Sequence, residues 1–264
     1  MSSPPATLSI DDRGIATLCL RRPEVHNAFD DGLIARLTEL LAEAGEADGL
    51  RALLITAEGR SFSAGADAGW MKRAAGYDEA RNIADALALG RMLEALRYTP
   101  FPTIALVQGA ALGGGVGLVA CADIAIAAKR AVFGLTEVRL GLTPASIAPY
   151  VIAAMGPRQA RRYMLGGERF DAAEAYRLGL VHEVVADEAA LNEAGAAVIE
   201  AILASAPGAV ADCKRLIDDV AGSRRDAAEL NDLARRIAAR RADGEGCEGL
   251  AAFLEKRKPS WVVD

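Results

Sequence analysis

Apolar positions along the chain follow two periods. Thr7–Ile10 and Gly14–Leu20 form short β runs, parted by the polar turn Asp11-Asp12-Arg13. Arg21-Arg22-Pro23 ends the second run. Past Asp30, a candidate helix N-cap, Leu33, Ile34, Leu37, Leu40 and Leu41 recur at helical spacing. Residues 51–57 (RALLITA) read as a buried strand, and a Gly/Ser-rich loop follows over 59–69. A helical stretch from about Asp78 to Arg97 is bounded by Pro100 and Pro102. Then come a strand over 103–108 (TIALVQ), a glycine loop, an apolar helix to about Cys121 and a strand over 123–127. This alternation predicts an α/β fold with a mainly parallel sheet. After about residue 186 the pattern changes to helical stretches near 188–205, 208–221, 225–242 and 247–257, with no strand between them. The expected division is an α/β core over 1–200 and a helical C-terminal region over 201–264.

Composition narrows the class. The 264 residues are 52% hydrophobic and 25% charged, a globular profile. No apolar run reaches the roughly 18 residues of a membrane span, and Met1–Ala6 lacks the basic and apolar regions of a signal peptide. The net charge of −6 argues against a nucleic-acid partner, although a local basic patch for a phosphate stays open. Cys19, Cys121, Cys213 and Cys247 form no CxxC pair and read as reduced thiols of a cytoplasmic protein. Two histidines, His26 and His182, are too few for a multi-histidine metal site.

Two glycine loops, each following a strand, carry the candidate chemistry: Phe62-Ser63-Ala64-Gly65-Ala66-Asp67, and residues 111–117 (ALGGGVG). The contiguous glycines fit a GxGxxG dinucleotide site poorly, and a P-loop would need GK[ST]. Small residues let the backbone approach a ligand, and free N–H groups at a helix start stabilise an anion. An oxyanion site is therefore one reading of the second loop, and tight helix–strand packing is the other.

Five segments in order resemble the crotonase (enoyl-CoA hydratase/isomerase) superfamily. They are residues 21–29 (RRPEVHNAF), FSAGAD at 62–67, ALGGG at 111–115, residues 133–144 (FGLTEVRLGLTP) and residues 249–261 (GLAAFLEKRKPSW). The resemblance covers about residues 10–261. It implies a crotonase-like spiral of ββα repeats with a C-terminal helical region that mediates trimerisation, as a trimer or a dimer of trimers. It also implies an acyl-CoA thioester substrate and no separate cofactor, coenzyme A being part of the substrate. By position, the oxyanion donors fall on the N–H groups of Ala66 and Gly114, and the proton-transferring carboxylate on Glu137.

Hydratases of this superfamily commonly carry a second glutamate, and its position here is Gly117. Isomerases often keep the single glutamate, so hydration of a 2-enoyl-CoA and Δ3–Δ2 isomerisation by Glu137 alone both stay open, as does a non-catalytic acyl-CoA-binding paralogue. A narrower likeness lies in residues 63–77, 142–151 and 158–175, which resemble bacterial methylglutaconyl-CoA and carboxygeranoyl-CoA hydratases. That likeness extends to a glycine at the Gly117 position and implies a branched acyl group with a distal carboxylate. Gly117 follows Gly114 by one helical turn, from where a side chain could reach the cleft.

Other residues carry paired expectations. Asp67 is a polar site residue or the cap of the next helix. Trp70 and Met71 line the pocket or fill the core, and Ala64, Gly113 and Gly117 are expected beside the substrate. Asn27 reads as loop hydrogen bonding, His26 as non-catalytic and Asp123 as structural. Arg22, Lys72, Arg73 and Lys256 are candidates for the CoA phosphates, and the resemblance places Lys256 and Phe253 near the CoA of a neighbouring subunit.

Overall fold

The computed structural model describes residues 4–223 and 226–262. The two predicted β runs form an antiparallel pair, β1 (Ala6–Ile10) and β2 (Ile15–Leu20). The predicted first helix is α1 (Asp31–Glu46), with Leu33, Ile34, Leu37, Leu40 and Leu41 on its buried face. Asp30 caps it by accepting from the Leu33 N–H at 2.8 Å.

A repeating turn follows, in which one strand joins a large sheet, the next joins a small sheet, and a helix returns. β3 (Ala52–Ala57), β4 (Ser61–Ser63), α2 (Ala68–Ala74) and α3 (Glu79–Arg97) make one turn. β5 (Thr103–Val107), β6 (Ala110–Leu112) and α4 (Gly114–Cys121) make the next. β7 (Ile124–Ala128), β8 (Val132–Gly134), a 3-10 turn (Glu137–Leu140) and α5 (Ala148–Gly166) make the third. β9 (Arg169–Asp171), α6 (Ala172–Arg177) and β10 (Glu183–Val185) complete the sheets.

The large sheet runs β1-β2-β3-β5-β7-β10 and is parallel from β2 onward. The small sheet runs β4-β6-β8-β9, with only its last pair antiparallel. This is the crotonase-like spiral that the resemblance implies.

Period-2 alternation distributes the large sheet between two cores. Ala105, Val107, Ala125 and Ala127 join the main core with α1 and α4. Ile104, Leu106 and Ile126 form a second cluster with Leu191 and Ile199 of α7 (Glu188–Leu203). Three further helices follow: α8 (Pro207–Val220), α9 (Ala227–Ala242) and α10 (Gly244–Glu255). They match the predicted helical stretches, although the predicted start at 225 lies outside the described residues.

Asp123 has the expected structural position. It accepts from the Thr103 N–H at 2.8 Å and pairs with Lys214 of α8 at 2.7 Å and Arg97 of α3 at 3.3 Å. Burial pushes the Lys214 ammonium below the ordinary lysine range, and Asp123 opposes that shift. The network fastens α8 to the start of β5 and the end of α3.

Candidate active site

The two glycine loops meet where β4 and β6 end. The first loop is anchored by a parallel bridge between Phe29 and Ala66. Phe29 donates its N–H to Gly65 O at 2.7 Å and accepts from the Asp67 N–H at 2.8 Å. These bonds bracket Ala66, so its own N–H faces away from Phe29, and Ala66 is exposed. Asn27 holds the loop behind it: its amide donates to Glu58 O at 2.8 Å and Ser61 O at 2.9 Å. Ser63 donates its hydroxyl to Asn27 O at 2.8 Å.

The second loop ends at Gly113, which adopts φ 50° and ψ −117°, a conformation open to glycine. Gly114 then opens α4, so its N–H is one of the donors left without an intrahelical acceptor. Among the described residues, no protein group accepts from the N–H of Ala66 or Gly114. Packing also demands glycine here. A β-carbon on Gly115 would stand 2.6 Å from Ser63 O, so a side chain there would force the loops apart.

Glu137 begins the 3-10 turn after β8 and comes to the same point. Its Oε1 lies 3.0 Å from where a β-carbon of Gly113 would be. Its Oε2 is buried without a hydrogen-bond partner among the described residues. Burial raises the carboxyl above its ordinary range, and a bond from its own backbone N–H offsets part of that rise. An unpartnered carboxylate beside two unused N–H donors can exchange a proton with a bound molecule while the N–H groups hold a developing oxyanion.

Around this point lies a cleft of about 320 Å³, lined mainly by apolar groups including Phe29, Trp70, Met71, Leu89, Leu142 and Ile147. Ala64, Ala66, Gly113, Gly114 and Glu137 line it as well. The size falls in the range of small-molecule sites.

Comparison with known proteins decides what the arrangement belongs to. The family model described as enoyl-CoA hydratase/isomerase matches residues 11–263. The chain belongs to the enoyl-CoA hydratase/isomerase family.

Within this family the chain is 33% identical over 258 residues to the crotonyl-CoA hydratase of Syntrophomonas wolfei, covering 94% of each. It is 44% identical to a crystallised enoyl-CoA hydratase from Shewanella pealeana, with a TM-score of 0.93 and coverage of 97% of this chain and 96% of that one. An enoyl-CoA hydratase/isomerase from Marinobacter aquaeolei superposes with a TM-score of 0.91 at 34% identity, covering 98% and 99%. The fold brings Ala64, Ala66, Trp70, Met71, Gly113, Gly114 and Glu137, all expected at the site, to one cleft.

Several residues expected at the site lie outside the cleft lining. Gly117 is buried inside α4 and does not line the cleft, from which Ile147 separates it. A β-carbon there would stand 2.4 Å from Ile147 Cγ2 and 3.1 Å from Ile147 Cβ. Ile147 occupies the room that a residue-117 side chain would cross.

Arg22 does not reach the cleft. It donates to Ala28 O at 2.7 Å and pairs with Asp30 at 2.8 Å and Asp67 at 3.6 Å, tying the caps of α1 and α2 together.

Asp67 is the N-cap of α2, accepting from the Gly69 N–H at 2.8 Å and the Trp70 N–H at 3.0 Å. Asp67→Ala is therefore expected to lower stability by about 1 kcal/mol with KM for acyl-CoA unchanged. Urea unfolding alongside steady-state kinetics checks this, and a raised KM at unchanged stability would return Asp67 to the substrate.

The remaining basic candidates and Phe253 lie outside the cleft lining. Arg73 pairs with Asp31 at 2.7 Å. Phe253, 79% exposed, stands on α10, and Lys256 caps that helix in the left-handed conformation. Several lining residues were not singled out in the sequence, among them Asp85, Leu89 and Ile147. Asp85 sits in the N-terminal half of α3, whose apolar Ile83 and Leu87 are exposed, so no buried stripe points to it.

Proposed function

We propose that the chain adds water across the double bond of a 2-enoyl-CoA whose acyl group is short and neutral. The carrying observation is Glu137, half-buried with Oε2 unpartnered, beside the unused N–H groups of Ala66 and Gly114. In this reading the thioester oxygen accepts from both N–H groups, and negative charge grows on it as water attacks the β-carbon. Glu137 then delivers a proton to the α-carbon.

Two features support a neutral acyl group. The cleft is mostly apolar, and its only ionisable lining residues among those described are Asp85 and Glu137. A distal carboxylate of the methylglutaconyl kind would meet no cation there, so it would be desolvated without a partner. The match to a crotonyl-CoA hydratase agrees with a small acyl group.

Assembly through the C-terminal helices, as a trimer or a dimer of trimers, belongs to this proposal. It is supported by exposed apolar side chains on α9 and α10, among them Leu230, Ile237, Leu250 and Leu254.

A second reading, Δ3–Δ2 isomerisation by Glu137 alone, is favoured by one observation: Ile147 closes the route by which α4 would present another carboxylate. Turnover in water labelled with heavy oxygen separates the two. The hydratase reading expects the label at the β-carbon of the product, read by mass. Isomerisation of 3-enoyl-CoA with no label incorporated from any 2-enoyl-CoA would overturn it.

A further inference from the structure

We infer that Asp85 is the second carboxylate of this site, holding the attacking water and taking its proton, in place of a residue on α4. The inference rests on the hydratase reading above. Addition of water needs a base for the water as well as an acid for the α-carbon. With Gly117 pointing into Ile147, α4 cannot supply that base.

The side chains lining the cleft leave one other candidate. Asp85 is the only ionisable lining residue among those described besides Glu137. It comes from α3, whereas Glu137 comes from the turn after β8, so the two carboxylates arise on separate elements of the same apolar cleft. Asp85 is also held in place. Its Oδ1 accepts from Trp70 Nε1 at 3.2 Å, and Trp70 itself packs against the main core. Its Oδ2 has no protein partner among the described residues. One oxygen is thus fixed and the other is free to accept from water.

The step balances. The Asp85 carboxylate accepts a proton from water as the water oxygen bonds to the β-carbon. The π electrons of the double bond move onto the α-carbon and thioester, whose oxygen is held by the Ala66 and Gly114 N–H groups. Protonated Glu137 gives its proton to the α-carbon. Asp85 ends protonated and Glu137 ionised, and exchange with solvent restores both.

The test uses the full chain and Asp85→Asn, which keeps an oxygen to accept from Trp70 Nε1 and removes the base. Two rates are measured: heavy-oxygen incorporation from water into crotonyl-CoA, and exchange of the α-protons of butyryl-CoA in deuterated water, which needs only Glu137 and the two N–H groups. The expected result is a loss of hydration by about 10²-fold or more with α-proton exchange retained. Hydration at the wild-type rate in the variant would overturn the role of Asp85 and leave the hydratase reading standing. An equal fall in both rates would also overturn it, by making Asp85 a packing residue. Absence of label in the wild type would overturn the hydratase reading and this inference together.

Discussion

Glu137→Gln is expected to lower turnover by about 10²–10⁴-fold while acyl-CoA still binds. Glutamine is nearly isosteric, so the group packed over Gly113 keeps its shape, and the apolar cleft walls are untouched. What disappears is the transferable proton. The variant also reports on the carboxyl itself. Burial raises the folded-state pKa of Glu137 above that of the unfolded chain. The carboxyl therefore contributes stability that is fully present below the unfolded value of about 4.3 and is lost as pH rises through the raised folded value. Glutamine has no such loss. The stability of the variant relative to wild type should thus rise from about pH 4 toward neutrality, as followed by urea unfolding at several pH values. In the wild type, a limb in the pH profile of kcat/KM should lie above the ordinary carboxylate range, and it should vanish in the variant. Unchanged turnover would remove Glu137 from the chemistry.

The spiral explains why three distant segments act as one site. The two glycine loops follow β4 and β6, neighbouring parallel strands of the small sheet, and Glu137 follows β8, the next strand along. Parallel neighbours place equivalent strand ends side by side, so each turn of the ββα unit delivers one functional element to the same edge. The large sheet contributes no cleft-lining residue and supplies the rigid support behind the loops. A shift of one residue in the β6–β8 register, where Leu112 pairs with Gly134, would displace Glu137 from Gly113.

Much of this was readable from residue patterns. The elements β1, β2, α1 and β3 and the helices after residue 186 appear where hydrophobic spacing put them, and α3 lies between the bounds that its flanking residues set. The small sheet did not, because β4, β6, β8 and β9 are three residues each, too short for an alternation to register. Nor did α5 stand out from its spacing: Gly156 at φ 75° and Pro157 break its period midway. In the site, the motif-bearing loops were legible because backbone geometry restricts them to small residues. Asp67 is the cap that one of its two readings expected, whereas Arg22 was misplaced, because a charged residue beside a ligand loop and one that braces the loop look alike in sequence. Asp85 carried no signal, since its position depends on how α3 overhangs the cleft.

Gly117→Glu should fail as a way to add a carboxylate to the site. Spacing along α4 suggests that a side chain one turn past Gly114 could reach the cleft, but the direction of the Cα–Cβ bond sends it into Ile147. A contact of 2.4 Å with Cγ2 cannot be relieved by a rotamer of residue 117, because the clash is already at its β-carbon. Ile147 is itself buried at 2% exposure, and the next neighbour, Leu93 Cδ1, is 3.7 Å away. Overpacking of this kind costs typically about 1–3 kcal/mol, and a carboxylate forced among Ile147 and Leu93 without a partner adds a desolvation cost of about 1–3 kcal/mol or more. The single variant is therefore expected to lose about 2–6 kcal/mol of stability, measured by urea or thermal unfolding. Gly117→Glu combined with Ile147→Ala removes the clashing branch and opens a path to the cleft. It should recover part of that stability, and the recovered share measures the steric component. If the single variant is as stable as wild type, α4 has more room than its contact with Ile147 allows, and the argument that this helix cannot carry a second carboxylate fails with it.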